Sequence, residues 1–521
     1  MKNAISRRRW IESSGIASAA ALLHAAGATP TSAAPQTTEP GEPPPDVYTD
    51  MGAKPFINCT ATITRNGGSR QLPEVIEAIH HAGHYHVNID QLMQAAGKKI
   101  SGLLQVDWAM VTSGAAAALT HATAACVAGT DPERMQQLPD LTGLKNEVIM
   151  PKSSRNVYDH AIRMVGVKIV EVDSAEELRN AINHRTAMIA VLGDRFNENV
   201  RLPLKEVGPI AKEAGIPVVV DAAADYLNIP NPYIAQGATL VASSGGKILR
   251  GPQTAGLLVG DEQLVRAAFA NSAHHHAFGR PMKVSKEEIV GMTTAVEVFI
   301  TKRDIQAEYR VWEGWYDYIT KEITKVDGIS TKVTPPSKGG PFPVLMVEWD
   351  PKKIALTAGE LGELLLNGEP SIGSHAQGDG HSFRLRPVAM KPQEHQMVAE
   401  RLHSIFRNAP TSADKPKVRP AAVDLSGRWD VEITFQRGES KHLLFLEADG
   451  NDVRGTHFGT VVRGMLKGTV DGNQVRLKSS LPFEGANLSY IFEGRVKGNE
   501  MSGQLDLGEY PNGTWKARRL S

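Results

Sequence analysis

The residues best suited to chemistry gather around one lysine. Ser243-Ser244-Gly245-Gly246-Lys247 follows the apolar run Ala238–Ala242, and Gly251-Pro252-Gln253 comes just after. A lysine on a glycine-rich turn at a strand end reaches the crevice where α/β sheets bind ligands. Upstream, Val218-Val219-Val220-Asp221 puts an aspartate at the carboxyl end of a buried strand, 26 positions before the lysine. Thr112-Ser113-Gly114-Ala115-Ala116-Ala117-Ala118 reads as a turn opening an alanine-rich helix. The N–H groups and dipole of such a helix start suit a phosphate. Each part alone has a plainer reading: a solvated turn lysine, a helix-capping aspartate, an ordinary helix start. In this order they suit pyridoxal phosphate. Lys247 forms the Schiff base, Asp221 keeps the pyridine nitrogen protonated so that the ring accepts electrons, and the helix start holds the phosphate.

The elements that must position these residues alternate. Glu147–Met150 reads as a strand stopped by Pro151. Val167–Val172, Thr186–Leu192, Ile216–Val220, Ala238–Ala242 and Ala255–Val259 read as further strands. Thr186–Leu192 is a continuous apolar run, as expected of a strand covered on both faces. Helical patterns fall at Ala175–Ile182 and Leu204–Ala214. Strands spaced around helices in this way imply a mostly parallel α/β sheet with helices on both faces. After a polar, proline-bearing stretch (409–423) the texture changes. Turns recur at Asp449-Gly450-Asn451, Asp471-Gly472-Asn473 and Lys497-Gly498-Asn499, with alternating strands between them. Residues 424–521 therefore read as an all-β meander of about eight strands, closed into a small barrel.

Residues 50–408 resemble the selenocysteine-synthase-like branch of fold-type-I pyridoxal-phosphate enzymes, with an aminotransferase class-V-like core. That branch includes bacterial L-seryl-tRNA(Sec) selenium transferase and related sugar-acid ammonia-lyases. The matching stretches are Ile57-Asn58, Gly67-Gly68-Ser69, Val111–Leu119, Val220–Ala224, Ser244–Lys247 with Gly251-Pro252-Gln253, and Gly279-Arg280-Pro281-Met282-Lys283. The resemblance implies Lys247 as the Schiff-base lysine and Asp221 at the ring nitrogen. It places Ser113, Gly114, Ala115 and Ser244 near the phosphate. It also implies a homodimer or larger assembly, with Arg280 serving a neighbouring subunit's phosphate or substrate. The pyridoxal-phosphate unit then divides into a large domain (48–281) and a small one (282–408).

Other residues extend the candidate site. Arg155-Asn156-Val157-Tyr158-Asp159-His160 follows the strand ending near Met150, where such folds place the residue that covers the cofactor ring; Tyr158 and His160 are the candidates. His274-His275-His276 looks like a metal cluster, but adjacent histidines on a loop rarely converge on one ion. No metal is expected there, and His276 is kept as a substrate contact. Arg384 and Arg386 alternate within the small domain, where a planar guanidinium suits a substrate carboxylate.

The N-terminus reads as an address. Arg7-Arg8-Arg9-Trp10-Ile11, the apolar stretch Gly15–Gly27 and the small residues near Ala34 follow the order of a secretory signal (1–34), resembling the twin-arginine type. A proline-rich linker (35–47) follows. Such a leader implies a periplasmic protein exported after folding, with its cofactor already loaded.

Composition is that of a globular protein. The 521 residues suggest about three domains. The formal net charge is zero, which argues against a nucleic-acid partner. Two cysteines, Cys59 and Cys126, exclude a disulfide scaffold. No apolar run is long enough for a membrane span. The expected activity is α,β-elimination, of the ammonia-lyase type, or β-replacement on a small amino acid or amino sugar acid. The competing expectations are selenium transfer on seryl-tRNA(Sec), transamination, and an exported binding protein without turnover. A further expectation is that the barrel is a structural or oligomerisation appendage.

Overall fold

The computed structural model describes residues 47–193, 200–336, 341–411 and 418–520. The expected leader and the linker up to residue 46 lie outside the described residues. Val47–Asp50 forms a single helical turn.

Strands are numbered in chain order, beginning with the two-residue β1 (Ile57–Asn58). The main sheet holds β2 (Trp108–Thr112), β3 (Glu147–Pro151), β4 (Lys168–Val172), β5 (Thr186–Leu192), β6 (Val218–Asp221), β7 (Leu240–Ser244) and β8 (Gly256–Gly260). Their spatial order is β2-β8-β7-β6-β5-β3-β4. β8 runs antiparallel to both neighbours, and the remaining pairs are parallel. The helix Gly114–Ala128 is buried over most of its length, because small alanines let it pack closely on the sheet. It begins where β2 ends.

Two readings of the sequence need correction. Pro151 does not stop the third strand; it closes β3 and pairs with Val172. The ladder to β5 has already ended at Ile149, so no neighbour there needs the missing N–H. β2 is the second: Thr112 closes a strand and does not belong only to the turn before the helix.

A second core lies beyond residue 300. β9 (Ile329–Thr334), β10 (Val344–Trp349) and β12 (Ser382–Leu385) form an antiparallel sheet in the order β12-β10-β9. Helices Ile305–Ile323 and Glu394–Arg407 share its apolar cluster around Tyr316, Trp349 and Phe406. β1 pairs in parallel with β11 (Ile372–Gly373), which ties the N-terminal segment to this part.

The C-terminal region is a closed eight-stranded barrel. Its strands are β13 (Gly427–Thr434), β14 (Glu439–Asp449), β15 (Asp452–Phe458), β16 (Arg463–Asp471), β17 (Gln474–Phe483), β18 (Ala486–Lys497), β19 (Glu500–Leu507) and β20 (Tyr510–Arg519). β20 returns to β13, so the sheet has no open edge. Gly450, Gly472 and Gly498 sit at hairpin tips with φ of 60°, 61° and 59°, where a side chain would be strained. Inward positions alternate along each strand and enclose Trp429, Phe492 and Trp515. Among the described residues, no helix is long and apolar enough to cross a membrane.

Candidate functional site

The site lies at the carboxyl ends of β6 and β7, where an open α/β sheet leaves a crevice. Asp221 closes β6 and pairs across to Ala242 of β7. Its carboxylate accepts the Ala223 N–H at 3.1 Å. Burial raises the Asp221 pKa; the Ala223 N–H and the charge of Lys247 oppose that rise. Lys247 sits three residues beyond β7 and is half-buried. Burial lowers its pKa, and Asp221 and Asp225 pull it back up. The two groups therefore feel one another's charge in a poorly solvated part of the fold. Each makes the other's charge cheaper than burial alone would allow.

The phosphate end is assembled by register. Thr112 of β2 and Ser244 of β7 both pair with Gly256 of β8. Three strand ends thus bring Ser113, Gly114 and Ser244 to one edge of the crevice. Gly256 makes this possible: a Cβ there would stand 2.2 Å from the Gly114 carbonyl carbon and 2.5 Å from Ala115 N. Ser113 is the N-cap of the helix, yet its side chain caps nothing. The first-turn amides of that helix have no intrahelical acceptors and are open to an anion.

A strap at residues 57–72 lies along the lysine loop. Ser69 N–H donates to the Gly246 carbonyl at 2.9 Å, and Leu72 N–H to the Arg250 carbonyl at 3.0 Å. The Gln253 amide donates to the Thr64 carbonyl at 2.8 Å. Together these lay Gly67-Gly68-Ser69 against the loop that carries Lys247. Ser69 Oγ is buried and has no hydrogen-bond partner. A buried hydroxyl left unpaired is costly, and a bound acceptor would satisfy it. The two glycines before Ser69 were the signal in the sequence.

Segment 154–160 covers the other side. Asn156 accepts the Tyr158 N–H at 2.8 Å and donates to the Ser154 carbonyl at 2.9 Å. Ser154, Asn156 and Asp159 line a small cavity together with Asp221. The Tyr158 ring lies with its centroid 5.8 Å from Lys247 Nζ. His160 opens the next helix and is exposed; no described contact brings it to Lys247.

The arginines stand on the small sheet. Arg384 and Arg386 line a groove of about 590 Å³ with Lys332, Phe342, Met346 and Glu348. Arg386 N–H donates to the Cys59 carbonyl at 3.0 Å, and Thr60 bridges to Arg386, so the strap links this groove to the lysine loop. Burial, and then Arg384, depress the Arg386 pKa. Such a guanidinium gains from an anion. Arg280 is exposed, and its chain neighbour Gly279 packs on the buried His121. His276 is exposed, and its carbonyl accepts from Gln136. His274 and His275 do meet a third group: Asp90 approaches them at 3.2 and 3.8 Å, on the surface.

The residues present fit pyridoxal phosphate. An open helix N-terminus, an unpaired buried hydroxyl, a half-buried carboxylate and a half-buried amine stand at the ends of β2, β6 and β7 and on the strap against the lysine loop. The aminotransferase class-V family profile matches residues 73–338. The chain belongs to the aminotransferase class-V family. Among curated relatives, a 5'-C-glycyluridine monooxygenase-decarboxylase of Streptomyces sp is 31% identical, over 70% of this chain and 94% of that protein. A D-glucosaminate-6-phosphate ammonia lyase of Salmonella typhimurium is 28% identical, over 70% of this chain and 99% of that protein. An L-seryl-tRNA(Sec) selenium transferase of Salmonella heidelberg is 24% identical, over 47% of this chain and 57% of that protein. The solved structure of D-glucosaminate-6-phosphate ammonia-lyase superimposes with a TM-score of 0.62 at 27% identity, covering 70% of this chain and 99% of that one. This class-V chain has the fold-type-I architecture and is a pyridoxal-phosphate-dependent enzyme of the lyase or transferase kind. The barrel lies beyond the family match, which ends at residue 338.

Proposed function

We propose that the enzyme removes the α-proton of a small amino acid or amino sugar acid and eliminates a β-substituent, releasing ammonia. The observation that carries this is that segment 154–160 meets both groups: Ser154, Asn156 and Asp159 line a cavity with Asp221, and the Tyr158 ring centroid lies 5.8 Å from Lys247 Nζ. The ammonia-lyase relative and its solved structure support elimination. Pyridoxal phosphate, when bound, supplies an electron-accepting ring conjugated to the substrate's amine. The chain does the rest. The amides of Ser113, Gly114 and Ala115 and the Ser244 hydroxyl hold the phosphate. The Asp221 carboxylate holds a proton at the ring nitrogen. Lys247 Nζ anchors the cofactor and then takes the α-proton, a role suited to an amine whose charge burial disfavours. Tyr158 covers the ring. Arg386, with Arg384 beside it, receives the substrate carboxylate. His276 reaches the substrate, and Arg280 serves a neighbouring subunit in a homodimer or larger assembly.

The site is proposed to work in the periplasm, after twin-arginine export. The Arg7-Arg8 pair, the apolar run and the small residues near Ala34 support this, and the neutral charge fits a partner other than tRNA. Converting Arg7 and Arg8 to lysine and fractionating the cells tests it; unchanged periplasmic yield rejects the route.

A second reading is oxidative decarboxylation, favoured by the 31% identity to the monooxygenase-decarboxylase. One experiment separates the two. Wild type and Lys247→Ala are purified, and their visible absorbance is recorded before and after borohydride. Wild type is expected to show a reducible band that the variant lacks. Candidate β-hydroxy amino acids and amino sugar acids are then supplied with and without oxygen. Ammonia released anaerobically supports elimination; turnover that requires oxygen and yields carbon dioxide replaces it with the second reading. A protein that stays colourless with added pyridoxal phosphate overturns both.

A further inference from the structure

The tip of one barrel hairpin rests on the segment that walls the cofactor crevice. β17 and β18 are joined by the two residues Glu484 and Gly485, between the paired Phe483 and Ala486. Gly485 lies directly against Asn156. A Cβ at Gly485 would stand 2.0 Å from the Asn156 carbonyl oxygen, 2.4 Å from its carbonyl carbon and 2.8 Å from its nitrogen. Asn156 is the residue that ties Tyr158 to Ser154 and lines the cavity beside Asp221. Backbone contact this close between two regions allows no residue but glycine at the tip.

Charge makes a second, independent joint at the same place. Arg155 is gripped by three carboxylates: Asp159 at 2.6 Å, Glu484 of the barrel at 2.6 Å, and Glu171. Arg163 holds the other oxygen of Asp159 at 2.9 Å and approaches Glu484 at 3.8 Å. Asp159 is 2% exposed and lines the same cavity as Asp221. Asp159 and Arg155 are the buried members of this cluster, and a buried charge holds its geometry because losing a partner strands it; Glu484 and Glu171 reach Arg155 from the exposed side. Glu484 also adopts φ of 48°, a left-handed conformation unfavourable for a residue with a Cβ. The turn keeps a side chain there, and that side chain is the one that reaches Arg155.

We propose that the Glu484-Gly485 tip is a positioning element of the active site, which holds Asn156, Tyr158 and Asp159 in the arrangement that binds the cofactor ring. The barrel is then part of the catalytic apparatus, contrary to the appendage expected from the sequence. This rests on the assignment of the crevice as the pyridoxal-phosphate site. Neither Glu484 nor Gly485 is a catalytic residue; each acts through segment 154–160.

Gly485→Ala is the sharpest test. Gly485 lies outside the left-handed region, so the hairpin itself tolerates alanine, and the three atoms nearest the new methyl group all belong to the Asn156 backbone. Arg476→Ala is the control. Arg476 makes a separate joint between barrel and body, through Asp379 at 2.7 Å. Three quantities are measured on the full-length chain: pyridoxal phosphate affinity of the cofactor-free protein, hydrogen exchange of amides 154–160 without cofactor, and circular dichroism of the bound cofactor. Gly485→Ala is expected to weaken binding on the order of tenfold, as small misplacements at such sites do. It should also speed exchange in 154–160 and change the cofactor's dichroism, with the barrel's thermal transition unmoved. Glu484→Gln should do the same to a smaller degree, and Glu484→Asp should restore part of the loss. Arg476→Ala should change none of these. Wild-type affinity and exchange in Gly485→Ala overturn the proposal. So does an equal loss in Arg476→Ala, which would make the effect one of general attachment. If wild type itself binds no pyridoxal phosphate, the site assignment fails, while the exchange data still judge the clamp.

Discussion

The main sheet and the barrel treat buried polar groups in opposite ways. In the barrel interior His442, His457 and Ser479 satisfy each other. His457, fully buried, shares a hydrogen bond with Ser479 Oγ through Nδ1 (2.6 Å) and another with His442 Nδ1 through Nε2 (2.8 Å), with Tyr490 packed edge-on against both imidazoles. In the crevice, Ser69 Oγ is left unpaired, the Ser113 hydroxyl caps nothing, and burial disfavours the charged forms of Asp221 and Lys247. A self-satisfied interior has nothing to offer a ligand. An interior with unmet donors is unstable by itself and gains when one binds. The contrast is that the crevice keeps an unpaired buried hydroxyl beside the lysine loop, where a ligand can complete it, while the barrel's histidine cluster is complete without one.

Four experiments sharpen or break that contrast. The largest effect belongs to Lys247→Ala, expected to cut turnover on the order of 10²- to 10⁴-fold with an unchanged melting temperature. Assayed turnover near wild type would remove the crevice from the chemistry. Next comes Phe492→Ala in the barrel. Phe492 is fully buried against Trp515 and His457. Its truncation should cost about 3–5 kcal/mol in denaturant unfolding of that region. A loss below about 1 kcal/mol would mean that the barrel interior is loosely packed.

Third is pH. The His457 pKa is pushed down to about 3, chiefly by burial and then by His442, against an ordinary 6.5. The unfolded chain therefore binds the extra proton first. Barrel stability should be fully present above about pH 6.5 and fall as pH drops from there toward 3. The slope is at most about 1.4 kcal/mol per pH unit from this group. Flat stability across that range, measured by urea titration at successive pH values, would show that the histidine chain is solvated. The smallest effect is on substrate capture. Arg386→Ala should raise KM roughly 10- to 100-fold, the worth of a hydrogen bond to a charged group, with kcat less affected. The exposed Arg384→Ala should do less. Equal effects would mean that burial does not decide which guanidinium receives the carboxylate.

Much of the crevice was legible in the linear order of residues. Apolar runs such as Thr186–Leu192 mark strands buried on both faces, and polar residues just past strand ends mark the open edge of a sheet. Asp221, Ser244 and Lys247 were visible for that reason. The barrel's closure was legible from the recurring Gly-Asn turns and the alternation between them. β2 escaped because five residues next to a glycine turn carry too little periodicity. The part played by Ser69 escaped because a serine after two glycines looks like any loop until the loop is laid against Gly246.

The sequence by itself determined the element types, the family, the cofactor and the lysine–aspartate pair, because these depend on local pattern and spacing. The tertiary structure decided what no spacing encodes. It set Thr112, Gly256 and Ser244 in register, chose Tyr158 as the ring over Lys247, and carried the strap from Arg386 to the lysine loop. It also placed Gly485 and Glu484, more than 300 residues away in the chain, against Asn156 and Arg155. Contacts between distant segments arise from how separate cores close on one another, and that closure is a property of the whole packed chain.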